Sequence, residues 1–445
     1  MSQIAKMTAS MSHKTFQFIE YTTIFKSENR ELKTGELYKD DFDAIDKMKE
    51  QLPKGMLEFL GSDSIRFKQF VGNIFLPSGN CIEILPKINK PNCANENNYS
   101  QVCRHSLLHM LTRVFKLKIN TSSIGSSSLA KFPLQDIFIR FFCQQLEEEL
   151  HKGYLRTYVS EEDNLSTMRG RLVFNDHIRV NMVNKARFYC QYDEFTEDNV
   201  FNQQLKAVIR VFKNRVQSQD THRHLTDLEF AFADVRDVMV DTLVIERLHF
   251  TRLNDRFKPI FDLATLILAG KSPNMSTGEN TAPAMLFDMN KLFEEFIAIE
   301  LERKLYSKTS ISANYSLSSQ DQSLKLATDA FQLKPDIVIR KENSVVSIMD
   351  TKWKVKEANG TIKVSQEDAY QMYAYGHRFS CNHLALIYPK LPSGVRSKSF
   401  NLVKNRDSAE CLSLKVYQVP LIFSSQEGES AFDEKLEEIV KVFEE

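Results

Sequence analysis

Two aspartates and a lysine in Leu333–Lys354, LKPDIVIRKENSVVSIMDTKWK, have the types and the spacing for phosphodiester chemistry. Asp336 follows Pro335 and opens an apolar run, Ile337 to Ile339. A polar stretch, Lys341 to Ser344, leads into a second apolar run, Val345 to Met349, which ends at Asp350-Thr351-Lys352. Two β-branched runs around a short polar turn predict a β-hairpin. The open ends of a hairpin lie side by side, so Asp336, Asp350 and Lys352 should converge. Two neighbouring carboxylates repel unless a cation neutralises them. Hard oxygen ligands with room for water and phosphate suit Mg²⁺, with Mn²⁺ as a substitute. Such an ion polarises a phosphodiester and activates water, while the lysine ammonium orients that water or offsets developing charge. The plain alternative is a hairpin with ordinary surface charges.

The elements around this stretch should position it. Met285 to Tyr306 has helical periodicity, with Met289, Leu292, Phe293, Phe296, Ile297 and Leu301 on one apolar arc at about 100° per residue. Glu294 falls at the edge of that arc, Glu300 inside it and Glu295 opposite it, in solvent. Glu294 is therefore the better third acid and metal ligand, with Glu300 as runner-up and a plain surface glutamate as the competing reading. A later helix, Asp368 to Phe379, places Gln371 and Tyr375 one turn apart on one face. His383 to Tyr388 and Leu414 to Phe423 read as further strands. Helix, hairpin, helix and strand predict a mixed sheet flanked by helices.

The preceding sequence has a different character. Thr15 to Ile24 alternates like a strand, Phe42 to Leu60 reads as helix, and Ile65 to Leu76 with Cys81 to Ile88 flank the turn Pro77-Ser78-Gly79-Asn80. From Gln101 the pattern becomes helical, over Val102 to Phe115 and Leu134 to Gly153, around a Ser-rich loop at Ser122 to Ser128. Thr196 is a fair N-cap for a helix to about Val216. Asn89 to Ser100 and Lys271 to Pro283 read as boundaries. The expectation is an α/β protein: an N-terminal β-rich domain over 1–92, a mostly helical middle region over 93–282, and a C-terminal mixed-sheet domain over 283–445.

Composition narrows the function classes. The 445 residues hold 58 Lys plus Arg and 58 Asp plus Glu, so DNA contact must come from local patches and not from global charge. Lys354, Lys356 and Lys363, just beyond the hairpin, would track a phosphate backbone. Arg169, Arg171, Arg179, Lys185 and Arg187 form a second basic segment, readable as a phosphate contact or as a solvated face. The 7 cysteines are irregularly spaced without CxxC, which argues against a zinc ribbon or disulfide framework. His105 and His109 are one helical turn apart but lack the glutamate of HExxH. Ala269-Gly270-Lys271-Ser272 imitates a P-loop, yet Thr265 stands where the first glycine belongs, and helical sequence precedes it. No nucleotide-hydrolysis motif is read on this chain. The N-terminal MSQIAKMTASMSHKTF lacks a signal-peptide core, and no apolar run is long enough for a membrane span, so a cytosolic protein is expected.

The Pro335-Asp336, Asp350-Thr351-Lys352 and Gln371-x-x-x-Tyr375 set resembles RecB-like members of the PD-(D/E)xK nuclease superfamily, with its restriction-endonuclease-like fold. The chain as a whole resembles the McrC subunits of McrBC-type, modification-dependent restriction systems. The stretches that carry this are Phe70-Val71-Gly72 with Leu76 to Ile88, Arg169-Gly170-Arg171-Leu172, Tyr192 to Lys206 (YDEFTEDNVFNQQLK) and Met289 to Phe296 (MNKLFEEF), and they span nearly the whole chain. The resemblance implies a Mg²⁺-dependent endonuclease subunit of an antiviral system acting on double-stranded DNA. Its partner would be a separate McrB-like AAA+ GTPase hexamer that carries the modification reader. The N-terminal part would dock on that motor and stimulate it. By position, Asp336 and Asp350 become metal ligands, Lys352 the catalytic lysine, and Gln371 and Tyr375 supporting residues. The rival readings are a stand-alone RecB-like nuclease and a motor-stimulating subunit without catalysis. The resemblance assigns no role to the Arg169–Leu172 and Tyr192–Lys206 blocks.

Overall fold

The structure is a computed structural model that describes residues 14–29, 31–88, 96–116, 132–269, 284–307, 314–328, 330–354, 357–358, 360–390, 395–403 and 411–441. The chain divides into two compact units, one from 1–133 with 274–445 and the other from 134–273. This differs from the three consecutive domains expected from sequence. The physical reason is a strand that rejoins the N-terminal region: Ala284–Asp288 pairs antiparallel with Phe70–Phe75. Sequence periodicity had merged that strand with the helix after it, because Met285, Leu286 and Phe287 fit either pattern.

Among the described residues the first unit holds three larger sheets. In one, Thr15–Ile19, Cys81–Leu85, Phe70–Phe75 and Ala284–Asp288 lie in that order. In the second the order is Glu36–Tyr38, Thr23–Ser27, Ser64–Phe67 and Leu57–Phe59. The single strand expected over Thr15 to Ile24 is therefore two, broken where Tyr21 takes a left-handed φ of 62°. Ile65 to Leu76 likewise splits at Gln69. The helix expected over Phe42 to Leu60 is Lys39–Met48, followed by a 3₁₀ turn and then a strand, Leu57–Phe59. Past Met48, Leu52 and Met56 are buried in the core while Phe59 and Leu60 are exposed, so the helical apolar stripe does not continue. Gly72 lets two backbones meet: a Cβ there would stand 2.0 Å from the Met285 carbonyl oxygen.

The third sheet carries the hairpin. Its order is Tyr315–Ser319, Ile337–Lys341, Ser344–Thr351, His383–Pro389, Cys411–Val419 and Phe400–Val403. The pairs of Ser344–Thr351 with His383–Pro389, and of that strand with Cys411–Val419, are parallel, while the others are antiparallel. The mixed sheet expected from sequence is present. Met289–Ser307 packs against it and against Glu96–Val114 and Gln426–Lys441, while Gln366–Arg378 packs on Ser344–Thr351, His383–Pro389 and Cys411–Val419. Leu333, Ile348, Met372, Tyr375, Leu384 and Leu386 belong to one buried apolar cluster beneath the hairpin.

The second unit is not purely helical. Besides helices at Leu134–His151, Phe174–Asn181, Val200–Lys213, Gln219–Ala231, Thr242–Glu246 and Lys258–Ala269, it has a sheet in the order Thr157–Leu165, Phe188–Thr196, Arg171–Leu172. Acidic residues in these strands break the apolar alternation that would have revealed them. The two unassigned sequence blocks meet here. Gly170 lies so close to Tyr192 that a Cβ would come within 2.3 Å of the Gln191 carbonyl oxygen. The Arg169 guanidinium stacks 4.3 Å from the Tyr192 ring centre, and Arg171 donates to Gln191. Asn199, not Thr196, caps Val200–Lys213, accepting from the Asn202 amide. Asn202, fully buried, donates to the carbonyls of Leu155 and Glu197. The unit leaves Tyr158, Phe174, Met182, Val183 and Phe195 exposed. Among the described residues no helix is long and apolar enough to cross a membrane.

Candidate active site

The hairpin turns through Glu342, with φ 55°, and pairs Ile337 with Met349. One residue further along each strand stand Asp336 and Asp350, so the register itself brings the two acids to one end. Asp336 Oδ2 accepts from the Thr351 amide at 2.7 Å and from Thr351 Oγ1 at 2.9 Å. The Lys352 amide bonds the Ile387 carbonyl, which prolongs the pairing past the strand end. Lys352 Nζ lies 2.7 Å from Asp350 Oδ2 and 3.4 Å from Asp368 Oδ1, and it donates to Gln371 Oε1 at 3.1 Å. Gln371 Nε2 in turn donates to the Tyr375 hydroxyl at 2.8 Å.

The helix supplying Asp368, Gln371 and Tyr375 starts at an N-cap, Ser365, whose hydroxyl accepts from the Asp368 amide. Asp368 was not read from sequence as a site residue. A signal for it existed, since it precedes Gln371 by three residues and so shares its helix face. The two glutamates left open by the sequence separate clearly. Glu300 is buried and held by Arg113 at 3.1 Å and Arg303 at 2.8 Å. Glu294 is half-buried and accepts from Gln320 Nε2 at 2.7 Å. Glu295 is half-buried too, not the solvent-facing residue that helical geometry alone predicts.

Electrostatics set this cluster apart. Burial, then Asp336, pushes Glu294 up to about 7. Burial, then Asp336, likewise pushes Asp350 up to about 7. Asp336 is raised by burial, against the pull of Thr351 and Lys352. Burial works against the Lys352 charge, but Asp350, Asp368 and Asp336 outweigh it and hold the ammonium above its ordinary value. Asp336 thus raises both Glu294 and Asp350, and Asp350 lies beside the Lys352 ammonium, a concentration of shifted carboxylates of the kind that clusters at functional sites.

The residue after Lys352 is also fixed. Trp353 Nε1 donates to Glu20 Oε1 at 2.8 Å, and both residues are buried. Burial pushes Glu20 up to about 7. Sequence reasoning had no access to this pair, because nothing local relates positions 333 residues apart. Lys354 and Lys363 are exposed, while Lys356 lies outside the described residues. His109 is a core residue: it stacks on Phe423 with centroids 4.0 Å apart, and burial pushes it down to about 3. All described cysteines are free, and all but Cys411 are buried. Ala269 ends a helix, and Gly270 to Ser272 of the P-loop imitation lie outside the described residues.

Comparison with known proteins gives the family. The model of the McrBC 5-methylcytosine restriction system component matches residues 65–389. The chain belongs to this family. Among solved structures it is similar to a chain of a half-complex from a tetradecameric assembly of Thermococcus gammatolerans McrB AAA+ hexamers with bound McrC. That likeness has 22% identity and a TM-score of 0.70, covering 96% of this chain and 100% of the other. It is also similar to a chain of the Thermococcus gammatolerans McrBC complex, with 26% identity and a TM-score of 0.51, covering 66% of this chain and 88% of that one. No curated protein matches. In this McrBC family member the matched span includes Gly72, Gly170, Asn202 and the whole acid–lysine cluster.

The donor set fits a hard divalent cation. Asp336 and Asp350 offer oxygens only, and the charge of Asp336, which raises Asp350 and also Glu294, is a repulsion that a cation would relieve. Among the described residues no three His, Cys, Asp or Glu side chains form a ready cage. Mg²⁺ is commonly held by one or two carboxylates with the rest of its shell in water and phosphate.

Proposed function

We propose that this protein is a McrC-like DNA endonuclease subunit that hydrolyses phosphodiesters of double-stranded modified DNA and works with a separate McrB-like AAA+ GTPase hexamer. The observation that carries this is the acid–lysine cluster at the open end of the hairpin, within a chain of the McrBC family. Asp336 and Asp350, joined by Glu294, would hold Mg²⁺, or Mn²⁺ in its place, which when bound supplies Lewis-acid polarisation of the phosphodiester and a water of lowered pKa.

The chain's own residues do the rest. Thr351 fixes the Asp336 carboxylate through two hydrogen bonds. Asp368 and Gln371 hold Lys352 beside Asp350, where its ammonium orients the attacking water and offsets charge developing on the phosphate. Tyr375 steadies Gln371 from one turn further along the helix. Lys354, Lys356 and Lys363 would contact DNA phosphates, which carry no sequence information, so specificity would rest with the partner. One solved neighbour is an assembly of McrB AAA+ hexamers with bound McrC and another is an McrBC complex, and the same partnership is proposed here. The N-terminal part, residues 1–92, would dock on that motor and stimulate it.

The test is cleavage of supercoiled and linear plasmid with Mg²⁺, wild type beside Asp350→Ala, each with and without the AAA+ partner. Motor-dependent cutting that Asp350→Ala abolishes is the expected result. Equal cutting by Asp350→Ala would remove the hairpin as the active site, and equal cutting without the motor would remove the subunit reading. No cutting in any arm, with motor GTPase still stimulated, would leave a binding subunit without catalysis.

A further inference from the structure

We infer that Glu20 and Trp353 are positioning residues for Lys352 and Glu294, and that through them the junction of the two N-terminal sheets fixes the catalytic strand end. This rests on the nuclease reading above. Trp353 directly follows Lys352. Its indole packs against Phe293, with ring centres 5.5 Å apart, and Phe293 directly precedes Glu294. One ring therefore braces the neighbours of both the lysine and the third acid.

Glu20 holds that ring in place. It lies between Thr15–Ile19 and Thr23–Ser27, where the chain passes from one N-terminal sheet to the other. Its amide bonds the Leu85 carbonyl, and the next amide, Tyr21, bonds the Phe67 carbonyl. Glu20 Oε1 accepts from the Lys87 amide at 2.9 Å as well as from Trp353 at 2.8 Å. Both sheets thus fix the carboxylate, and the carboxylate fixes the indole.

Packing alone does not explain this choice. Glu20 is fully buried, its donors are the neutral Lys87 amide and Trp353 indole, and among the described residues its Oε2 has no hydrogen-bond partner, with only the more distant charges of Lys87 and Lys354 to offset it. Burying a carboxylate in that state costs more than an apolar or amide side chain of similar size would. What the carboxylate provides is a strong, directional acceptor for the indole N–H. Catalysis is sensitive to such placement, because a shift of about 1 Å in a reacting group can cost on the order of 10²-fold in rate.

The experiment uses the full-length chain with its AAA+ partner, Mg²⁺ and plasmid DNA, and reads kcat, KM and melting temperature. Trp353→Phe keeps the ring against Phe293 and removes only the N–H. Glu20→Leu removes the acceptor, and Glu20→Gln restores an oxygen. The expected result is a kcat lower by about ten-fold or more in Trp353→Phe and Glu20→Leu, with KM for DNA within about two-fold of wild type. Glu20→Gln, which offers a neutral and weaker acceptor, should recover part of the loss. A wild-type kcat in Trp353→Phe would overturn the inference, as would a loss confined to KM or matched by a falling melting temperature. If Glu20→Leu does not fold, Trp353→Phe decides alone. Asp350→Ala run alongside separates the two claims. If it is dead while Trp353→Phe cuts normally, only the positioning role fails. If it cuts like wild type, or if wild type never cuts, both fail.

Discussion

The Tyr192–Lys206 block and the Leu333–Lys354 hairpin are both rich in charged side chains, but they hold them under opposite conditions. In the block, Asn199 and Asn202 spend their amides on the Leu155, Thr196 and Glu197 carbonyls. Lys206, though buried, donates to the Val235 carbonyl at 2.6 Å and pairs with Asp237. Burial works to raise Asp198, yet Gln203 and Arg236 outweigh it and leave its carboxyl below the usual range. In the hairpin site the sign reverses, and Glu294, Asp336 and Asp350 are all held above their ordinary values. A recognisable sequence block is therefore not by itself a functional site. Polar groups that satisfy one another build structure, and polar groups kept in mutual conflict are what chemistry needs.

The largest test of this contrast is Asp350→Asn. Cleavage should fall on the order of 10³-fold, the loss typical of removing a central electrostatic element. Stability should not fall with it, because the neutral amide relieves repulsion from Asp336 while Lys352 keeps Asp368 and Gln371. A melting temperature clearly below wild type would mean that the site is a structural ion pair after all.

Asn202→Ala is the converse. It removes donors to two carbonyls in a fully buried position and should cost about 2–3 kcal/mol of stability, read by chemical denaturation. The cleavage rate per folded molecule should stay near wild type. A folded Asn202→Ala protein that has lost cleavage would place this block in the reaction and erase the distinction.

Much of the site was legible in the sequence because a hairpin is local. Apolar runs and a polar turn dictate the register, and the register brings Asp336 to Asp350 and puts Lys352 next. The Gln371–Tyr375 pair follows from helical spacing in the same way. What could not be read depends on contacts between distant segments. Glu20 meets Trp353, and Ala284–Asp288 joins a sheet begun near the N-terminus, without any periodic trace of either event. The strand Phe188–Thr196 was hidden for another reason: its pattern is carried by backbone pairing to Thr157–Leu165, while its side chains are largely polar.

Glu20 also gives the contrast a pH signature. Its carboxyl, ordinarily near 4.5, is pushed up to about 7 by burial, against the Lys87 amide, Trp353 and the charges of Lys87 and Lys354. Tyr21, Tyr99 and Cys103 are the other titratable groups that face it. The folded state therefore binds this proton more tightly than the unfolded chain. The stability it contributes is fully present below pH 4.5 and is lost as pH rises through about 7, a total on the order of 3 kcal/mol. Melting temperatures of wild type and Glu20→Gln at pH 5 and pH 8 test this, and the variant should lose less on going up. Parallel losses would show that Glu20 is ionised throughout.

The smallest effects belong to the exposed lysines. Lys363 is the cleaner probe, since Lys354 also faces Glu20 electrostatically. A lysine that touches phosphate releases about one counterion, so Lys363→Ala should lower the slope of log affinity against log salt by about one. The loss should be equal on methylated, unmethylated and scrambled DNA, because a phosphate contact positions the duplex without reading it. An affinity change that depends on sequence or methylation would put base recognition on this subunit. The division of labour between an indiscriminate cutter and a discriminating partner would then have to be redrawn.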